Sequence, residues 1–207
     1  MTEADNTLLG LFNLLRLKAP ELIDLYCAET DQQFDDALDS LVERGVMRLE
    51  ANSKNFAGLD ETGLSGVFAA AIEMPGLTVT QETHSNGHVD IIIQADHCSP
   101  ARKRLCEAKI YDGPEYHISG LKQLLERYTT GREGRGIVLS YVRKKGISGL
   151  VTSIRERMDD KLPCGQTGNT KDHPLKWSFK SSHNHSCGDV LDVCHVSCNL
   201  YFEGADQ

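Results

Sequence analysis

The sequence predicts an α/β fold in which a mixed sheet is flanked by helices and preceded by a small helical segment. Helically spaced apolar residues and short β-branched runs alternate along residues 61–158, the pattern of a layered α/β domain. The run Ile137–Val142 is almost entirely apolar, as expected of a strand buried on both faces. The first sixty residues instead repeat leucines at helical spacing. A chain of 207 residues suffices for one large domain or two small ones.

Residues 1–58 predict a helical N-terminal domain. One helix carries the leucines from Leu8 to Leu17, a second begins at Pro20, and a third begins at Thr30 or Asp31 and ends at Gly45. Two short strands, 46–50 and 54–56, follow as a hairpin. Three helices and a strand pair resemble a winged-helix domain. The third helix carries five carboxylates that would repel phosphates, so we expect a solvated or protein-binding acidic face: Asp31, Asp35, Asp36, Asp39 and Glu43.

Residues 59–207 predict a second domain with its elements in a definite order. A helix over 61–74 precedes three strands over 77–83, 88–93 and 105–111, and then come a helix over 118–129, a strand over 137–142 and a helix over 148–158. Residues 163–189 read as loop, and 190–202 as a final strand or strand pair.

The triplet Glu107-Ala108-Lys109 lies in an apolar run that predicts a strand. Residues two apart share a face of a strand, so Glu107 and Lys109 are expected to project side by side, next to Leu105. A buried acid and base are unfavourable unless they are paired or hold an ion. The preceding strand carries one aspartate, Asp90, among branched aliphatic residues. Two carboxylates and a lysine on adjacent strands suit a metal-assisted phosphodiesterase site.

This ordered set resembles the PD-(D/E)xK, or restriction-endonuclease-like, nuclease superfamily. In that family an acid on the second strand precedes a (D/E)xK triplet on the third, and Asp90, Glu107 and Lys109 match. Val89 stands where the motif has its proline. The resemblance covers about the central 40 % of the chain. It also points to an acid on the leading helix, for which Glu61 is the better candidate, and to a glutamine on the following helix, Gln123.

A tyrosine commonly follows that glutamine by one helical turn. Here Tyr128 is five residues from Gln123 rather than four, so an α-helix would not align the two, and Tyr128 is the weaker candidate.

The resemblance implies a Mg²⁺-dependent endonuclease in which Mn²⁺ substitutes for Mg²⁺. Asp90, Glu107 and Glu61 would be the metal ligands, Lys109 would orient or help to deprotonate a water molecule, and Gln123 would position substrate or water. DNA is the expected substrate ahead of RNA, and restriction, anti-phage defence or DNA processing the expected role. A homodimer or a subunit of a larger defence or repair complex is expected. The alternative is a non-catalytic winged-helix regulatory subunit on an inactive nuclease scaffold.

The net charge of −8 is unevenly distributed. Residues 1–60 hold 12 acids and 5 bases, whereas residues 122–161 are net basic. We expect five bases of the latter stretch to contact a nucleic-acid backbone: Arg132, Arg135, Arg143, Lys144 and Lys145. The acidic N-terminus, the absence of a long apolar run and seven unevenly spaced cysteines predict a cytoplasmic protein without a membrane segment or disulfide scaffold.

Two other chemistries are weighed against this interpretation. Histidines and cysteines crowd the C-terminal region without the paired spacing of a zinc site: His183, His185, Cys187, Cys194, His195 and Cys198. Cys106 with His88 or His117 as base would suit a cysteine nucleophile, but its strand position points it away from Glu107. Both patterns favour buried thiols and polar turns over a second site.

Overall fold

The structure, a computed structural model, describes residues 7–81, 89–98 and 101–203. It contains a seven-stranded mixed sheet with helices on both faces, which confirms the α/β class. The predicted strands over 77–83 and 88–93 extend in part into residues 82–88, which lie outside the described ranges.

The described strands are β1 Thr78–Gln81, β2 Ile91–Ala95, β3 Arg102–Ile110, β4 Gly136–Val142, β5 Lys171–Asp172, β6 Ser178–Asn184 and β7 Val190–Asn199. Their order across the sheet is β1-β2-β3-β4-β7-β6-β5. The three central strands β3, β4 and β7 run parallel, and each remaining neighbour pair is antiparallel.

The described α-helices are α1 Leu8–Lys18, α2 Pro20–Tyr26, α3 Asp31–Ala51, α4 Glu61–Ile72, α5 Pro114–Gln123 and α6 Ile147–Lys161. A π-helical turn, Leu124–Tyr128, continues α5, and a short 3-10 turn, Pro163–Gly165, follows α6. The order predicted for residues 61–158, namely helix, three strands, helix, strand and helix, is therefore confirmed.

Two apolar layers lie on opposite faces of the sheet. One joins α2, α3 and α4 to the sheet, with residues such as Phe34 and Phe68 packed in the same layer as Cys106. The other joins α5 and α6 to the sheet, with Leu121 and Ile154 in its centre. The predicted domain boundary between residues 58 and 59 falls in the turn between α3 and α4, although both helices belong to one layer.

The hairpin predicted over residues 46–56 is wrong, because α3 continues through Gly45 to Ala51. Val46 and Leu49 extend the buried helical stripe that Leu38 and Val42 begin. Gly45 does not end the helix but allows a close approach: a Cβ atom there would lie 2.6 Å from Cγ2 of Ile72 on α4. Residues 7–60 of the structure contain no strand, so the described N-terminal segment has no wing.

The expectation of a solvated acidic face on α3 is wrong for two of its carboxylates. Asp35 accepts a hydrogen bond from Nε of Arg104 at 2.7 Å, and Asp39 accepts two from Arg135, one of them at 3.0 Å. All four side chains are buried. These ion pairs fasten α3 to β3 and to the segment that enters β4. Arg135 is therefore removed from the predicted nucleic-acid surface.

The loop predicted over residues 163–189 is also wrong in part, since it contains β5 and β6. The sequence of β6, Ser-Phe-Lys-Ser-Ser-His-Asn, lacks the aliphatic alternation of a strand. Its inward-facing positions include Ser181 and His183, whose polar groups are hydrogen-bonded inside the protein. Their partners include His195 on β7 and the carbonyl oxygen of Cys164 in the 3-10 turn, which local sequence does not reveal.

We expect Arg135→Met to lower the free energy of unfolding by about 3–5 kcal/mol, because the change leaves the carboxylate of Asp39 buried with less compensation. Urea denaturation at pH 7 measures the effect. The matched variant Arg132→Met changes an exposed arginine three residues away and should alter stability by less than about 0.5 kcal/mol. Equal, small effects of both substitutions would contradict the structural role of Arg135.

Candidate functional site

Glu107 and Lys109 project from one face of β3, as the alternation predicts. Leu105 on the same face belongs to the apolar layer beneath α5 and α6, whereas Cys106 and Ala108 belong to the opposite layer. Glu107 and Lys109 are both buried. They therefore need polar partners within the fold.

Three carboxylates surround the ammonium group of Lys109. Its Nζ lies 2.7 Å from Oε1 of Glu107, 3.3 Å from Oε1 of Glu61 and 4.0 Å from Oδ2 of Asp90. Asp90 immediately precedes β2, and Glu61 is the first residue of α4. The structure thus brings together four of the residues that the sequence singled out, from three separate elements.

The sheet itself orients two of these carboxylates. Strand β2 pairs with β3 only as far as Cys106, so the end of β3 extends past its neighbour. The exposed amide groups there bind side chains instead: Ala108 N–H donates to Oδ2 of Asp90, and Ile110 N–H donates to Oε2 of Glu61, both at 2.8 Å. The carboxylates thereby occupy the positions that a longer β2 would fill.

Glu107 is the most perturbed acid of the group. Its side chain is 2 % exposed, and its Oε2 atom has no hydrogen-bond partner among the described residues. Burial, and next the negative charge of Asp90, raise the pKa of Glu107 to about 7, although Lys109 opposes this. Burial also raises the pKa of Asp90, partly offset by the Ala108 amide.

Lys109 is held in its charged form. Burial alone would lower its pKa, but the hydrogen bond to Glu107 and the charges of Glu107, Asp90 and Glu61 raise the pKa above its ordinary value. A lysine in this state donates hydrogen bonds and does not act as a base at neutral pH.

Helix α5 covers the site with a glycine. A Cβ atom on Gly120 would lie 3.1 Å from Cγ of Lys109 and 3.5 Å from Cγ of Glu107. The missing side chain lets the helix rest on the aliphatic stems of both residues. The helix thereby excludes water from this side of the carboxylates.

Gln123 is half-buried at the end of α5, and the described residues give its side chain no hydrogen bond to the carboxylate group. Tyr128 ends the π-helical turn, in which Thr129 N–H donates to the carbonyl oxygen of Leu124, five residues earlier. This turn is wider than an α-helical turn, so α-helical spacing does not hold throughout residues 123–128. Burial raises the pKa of Tyr128, and the negative charges of Glu107 and Asp90 raise it further.

The remaining predicted basic residues divide between the two edges of the sheet. Arg132 is exposed and precedes β4, at the edge away from Lys109. Arg143 follows β4 and donates to the carbonyl oxygen of Leu59, just before α4. Lys144 and Lys145 are exposed, and Lys144 pairs with Asp112 at 2.7 Å. Because β3 and β4 are parallel, these last three lie at the edge where Lys109 lies.

A chain of hydrogen bonds beside the site was not predicted from the sequence. Ser140 of β4 pairs in register with Lys109, and its Oγ lies 2.8 Å from Nδ1 of His117 on α5. Nε2 of His117 lies 2.8 Å from Nδ1 of His195. Burial lowers the pKa of His117 to about 4 and that of His195 well below its ordinary range, so both are neutral at pH 7.

The far end of this chain determines every tautomer in it. Nδ1 of His183 lies 3.2 Å from the carbonyl oxygen of Cys164, which only accepts, so Nδ1 carries the proton. Nε2 of His183 must then accept from Ser181, at 2.7 Å. Ser181 in turn accepts from Nε2 of His195, also at 2.7 Å. The same logic makes His117 an Nε2–H donor and Ser140 the first donor of the chain.

The C-terminal histidines and cysteines do not form one metal cluster. His183 and His195 belong to the hydrogen-bonded chain, and Cys198 is buried in the layer of α3. Within the described ranges, one group of three metal-capable side chains has its ligand atoms within 4.8 Å of one another: Asp39, His173 and Cys194. There the ring of His173 accepts a hydrogen bond from Leu175 N–H and also binds Asp39, and Arg135 binds Asp39 as well. The ligand atoms of Asp39 and His173 are therefore already engaged in hydrogen bonds within the protein.

The positions of the described residues do not favour the cysteine-nucleophile alternative. Cys106 is fully buried in the apolar layer opposite Glu107, and burial raises the pKa of its thiol well above the ordinary value. His117 lies on the other side of the sheet, in the hydrogen-bonded chain, and His88 lies outside the described residues.

Comparisons with known proteins give no relative. No protein-family model matches the chain, no curated protein matches its sequence, and no solved structure matches its fold. Within the part of the chain that the structure describes, the helices are too short or too polar for any of them to cross a bilayer.

The raised pKa of Glu107 predicts a pH-dependent effect of Glu107→Gln in metal-free protein. The folded state favours the neutral acid, so the unfavourable burial of its charge is fully present above pH 7 and absent below the ordinary pKa of 4.5. The free energy of unfolding of the variant minus that of wild type should therefore be about 1–3 kcal/mol more positive at pH 8 than at pH 5. Urea denaturation in chelator measures this difference. The control Glu43→Gln, at an exposed site, reports the loss of one surface charge. A stability difference between Glu107→Gln and wild type that does not change with pH would contradict the raised pKa of Glu107.

The hydrogen-bonded chain predicts a distinct tautomer for each histidine. Long-range ¹H–¹⁵N spectra at pH 7 should show Nε2–H on His117 and His195 and Nδ1–H on His183, all neutral. Ser181→Ala should release His117 and His195 from this constraint while leaving His183 anchored by Cys164. A cationic imidazole, or the reverse set of tautomers in the wild type, would show that the chain is not connected as described.

Proposed function

We propose that this protein is a divalent-cation-dependent phosphodiesterase of the PD-(D/E)xK type that cleaves nucleic acid, DNA in preference to RNA. The observation that carries the proposal is the buried carboxylate of Glu107, whose Oε2 has no hydrogen-bond partner among the described residues, beside Asp90, Glu61 and Lys109. Buried acids with a raised pKa and a specific charged partner concentrate at functional sites. The mixed sheet and element order are compatible with a restriction-endonuclease-like fold.

The donor set suits Mg²⁺, with Mn²⁺ as a substitute. Asp90, Glu107 and Glu61 supply hard carboxylate oxygens, and Oε2 of Glu107, which binds no other residue in the described ranges, is an available ligand. The three carboxylates surround Lys109, but their oxygens do not all lie within 4.8 Å of one another. Metal binding therefore requires the ammonium group to move aside and the carboxylates to close in. A bound Mg²⁺ supplies charge neutralisation at a phosphate and lowers the pKa of a water ligand.

The residues of the chain then have separable roles. Asp90 and Glu61 are oriented by backbone amides of β3, and each keeps a second carboxylate oxygen that is not bound by an amide and could accept a cation. Lys109 keeps its proton, so we assign it to hydrogen bonding with charge on the phosphate rather than to deprotonating water. Tyr128, which ends the π-helical turn after Gln123, joins it as a candidate for positioning substrate.

The nucleic-acid surface proposed here is narrower than the sequence suggests. Lys144 and Lys145 follow β4 at the edge where Lys109 lies, and their exposed ammonium groups suit contacts with flanking phosphates. Arg132 lies at the opposite edge, and Arg135 is buried in an ion pair. Roles in restriction, anti-phage defence or DNA processing, as a homodimer or a subunit of a defence or repair complex, and a place in the cytoplasm, rest on the resemblance and the composition alone.

Incubation with plasmid, linear DNA, single-stranded DNA and RNA, in Mg²⁺, Mn²⁺ or chelator, tests the proposal. Wild type should cleave DNA in Mg²⁺ or Mn²⁺ and not in chelator. Lys109→Ala and Asp90→Asn should each lose at least about 100-fold in rate, the typical effect of removing one transition-state contact. The matched control Lys171→Ala, at an exposed lysine of β5, should keep full activity.

Two outcomes would overturn the proposal. Undiminished cleavage by Lys109→Ala would place the chemistry elsewhere. Absence of cleavage in every condition, with tight binding to a protein partner, would favour the non-catalytic regulatory subunit.

A further inference from the structure

Helix α1 is apolar on all sides and stands at the surface. It has no buried residue, and six of its large side chains are between 38 % and 84 % exposed: Leu8, Leu9, Leu11, Phe12, Leu14 and Leu17. A helix that is apolar all round is normally buried. A contiguous apolar patch of this kind marks an interaction surface. The helix is nevertheless well formed, with Thr7 as its N-cap.

The charge pattern of α1 and α2 favours a second copy of the chain as the partner of this surface. Residues 7–15 carry no charge, so the surface offers nothing to an ionic partner. Copies of a chain with a net charge of −8 repel one another except through a neutral patch, which this helix provides. Arg16 and Lys18 then end α1, and Glu21 and Asp24 follow on α2. A cationic end beside an acidic segment is self-complementary when two copies meet about a two-fold axis.

The size of the patch also fits self-association. The six side chains offer on the order of 500 Å² of apolar surface. A standard interface buries about 800 Å² on each partner. Helix α2, which contacts α1, carries further partly exposed apolar side chains, namely Leu22, Ile23 and Tyr26.

We propose that the α1–α2 pair is a homodimerisation surface, in which α1 of one copy packs against α1 and α2 of a second copy. The contact is isologous and apolar at its centre, and the Arg16–Lys18 end of one copy faces the acidic α2 of the other. This inference is independent of the proposed nuclease activity, since it uses no residue of the carboxylate site.

Sedimentation equilibrium of the full chain over about 1–100 µM tests the surface. The wild type should be a dimer, and Leu9→Glu and Leu14→Glu should each raise the dimer dissociation constant at least about 100-fold. Because α1 contains no buried residue, both variants should retain the wild-type circular dichroism spectrum. The matched control Met47→Glu, at a 61 % exposed site on α3, should leave the dimer intact.

A monomeric wild type throughout this concentration range would overturn the proposal. So would a dimer that survives both glutamate substitutions, because another surface would then hold it together. Binding of the wild-type monomer to phosphatidylcholine vesicles, without self-association, would assign α1 to a lipid surface instead.

Discussion

The ammonium group of Lys109 is the interaction on which the site depends. Three carboxylates within 4.0 Å of one cation repel one another, and that single positive charge holds them in place. The end of β3 that extends past β2 supplies the other constraint, because its amides bind Asp90 and Glu61. The cluster, which α5 covers on one side, has more negative than positive charge, and a divalent cation would balance that excess.

The architecture around the cluster serves its position. Parallel pairing of β3 with β4 places Lys109 beside Ser140, and α5 lies across both strands with His117 and Gly120 one turn apart. On the opposite face, the Asp35–Arg104 and Asp39–Arg135 pairs fasten α3 to the sheet. The carboxylate site thus rests on a sheet that is braced from both sides, while α1 remains outside this packing.

Local periodicity was sufficient for part of this structure. The alternation of Glu107 with Ala108 and Lys109 predicted the shared face, the lone acid of the preceding strand predicted Asp90, and the family resemblance pointed to Glu61. Long-range interactions were beyond such patterns. Arg135 looked like a surface base because its partner, Asp39, lies 96 residues away, and Gly45 looked like a helix end because its neighbour is on α4. The buried histidine chain depends on the register of β4, β6 and β7, and the π-helical turn that ends at Tyr128 is not visible in residue spacing.

Crystallography with Mn²⁺, using its anomalous scattering, tests the central claim most directly. The account predicts one ion bonded to carboxylate oxygens of Asp90 and Glu107, with the Lys109 ammonium displaced from its present contacts. A map at millimolar Mn²⁺ with no ion at these carboxylates, and with Lys109 still seated between Glu61 and Glu107, would contradict it.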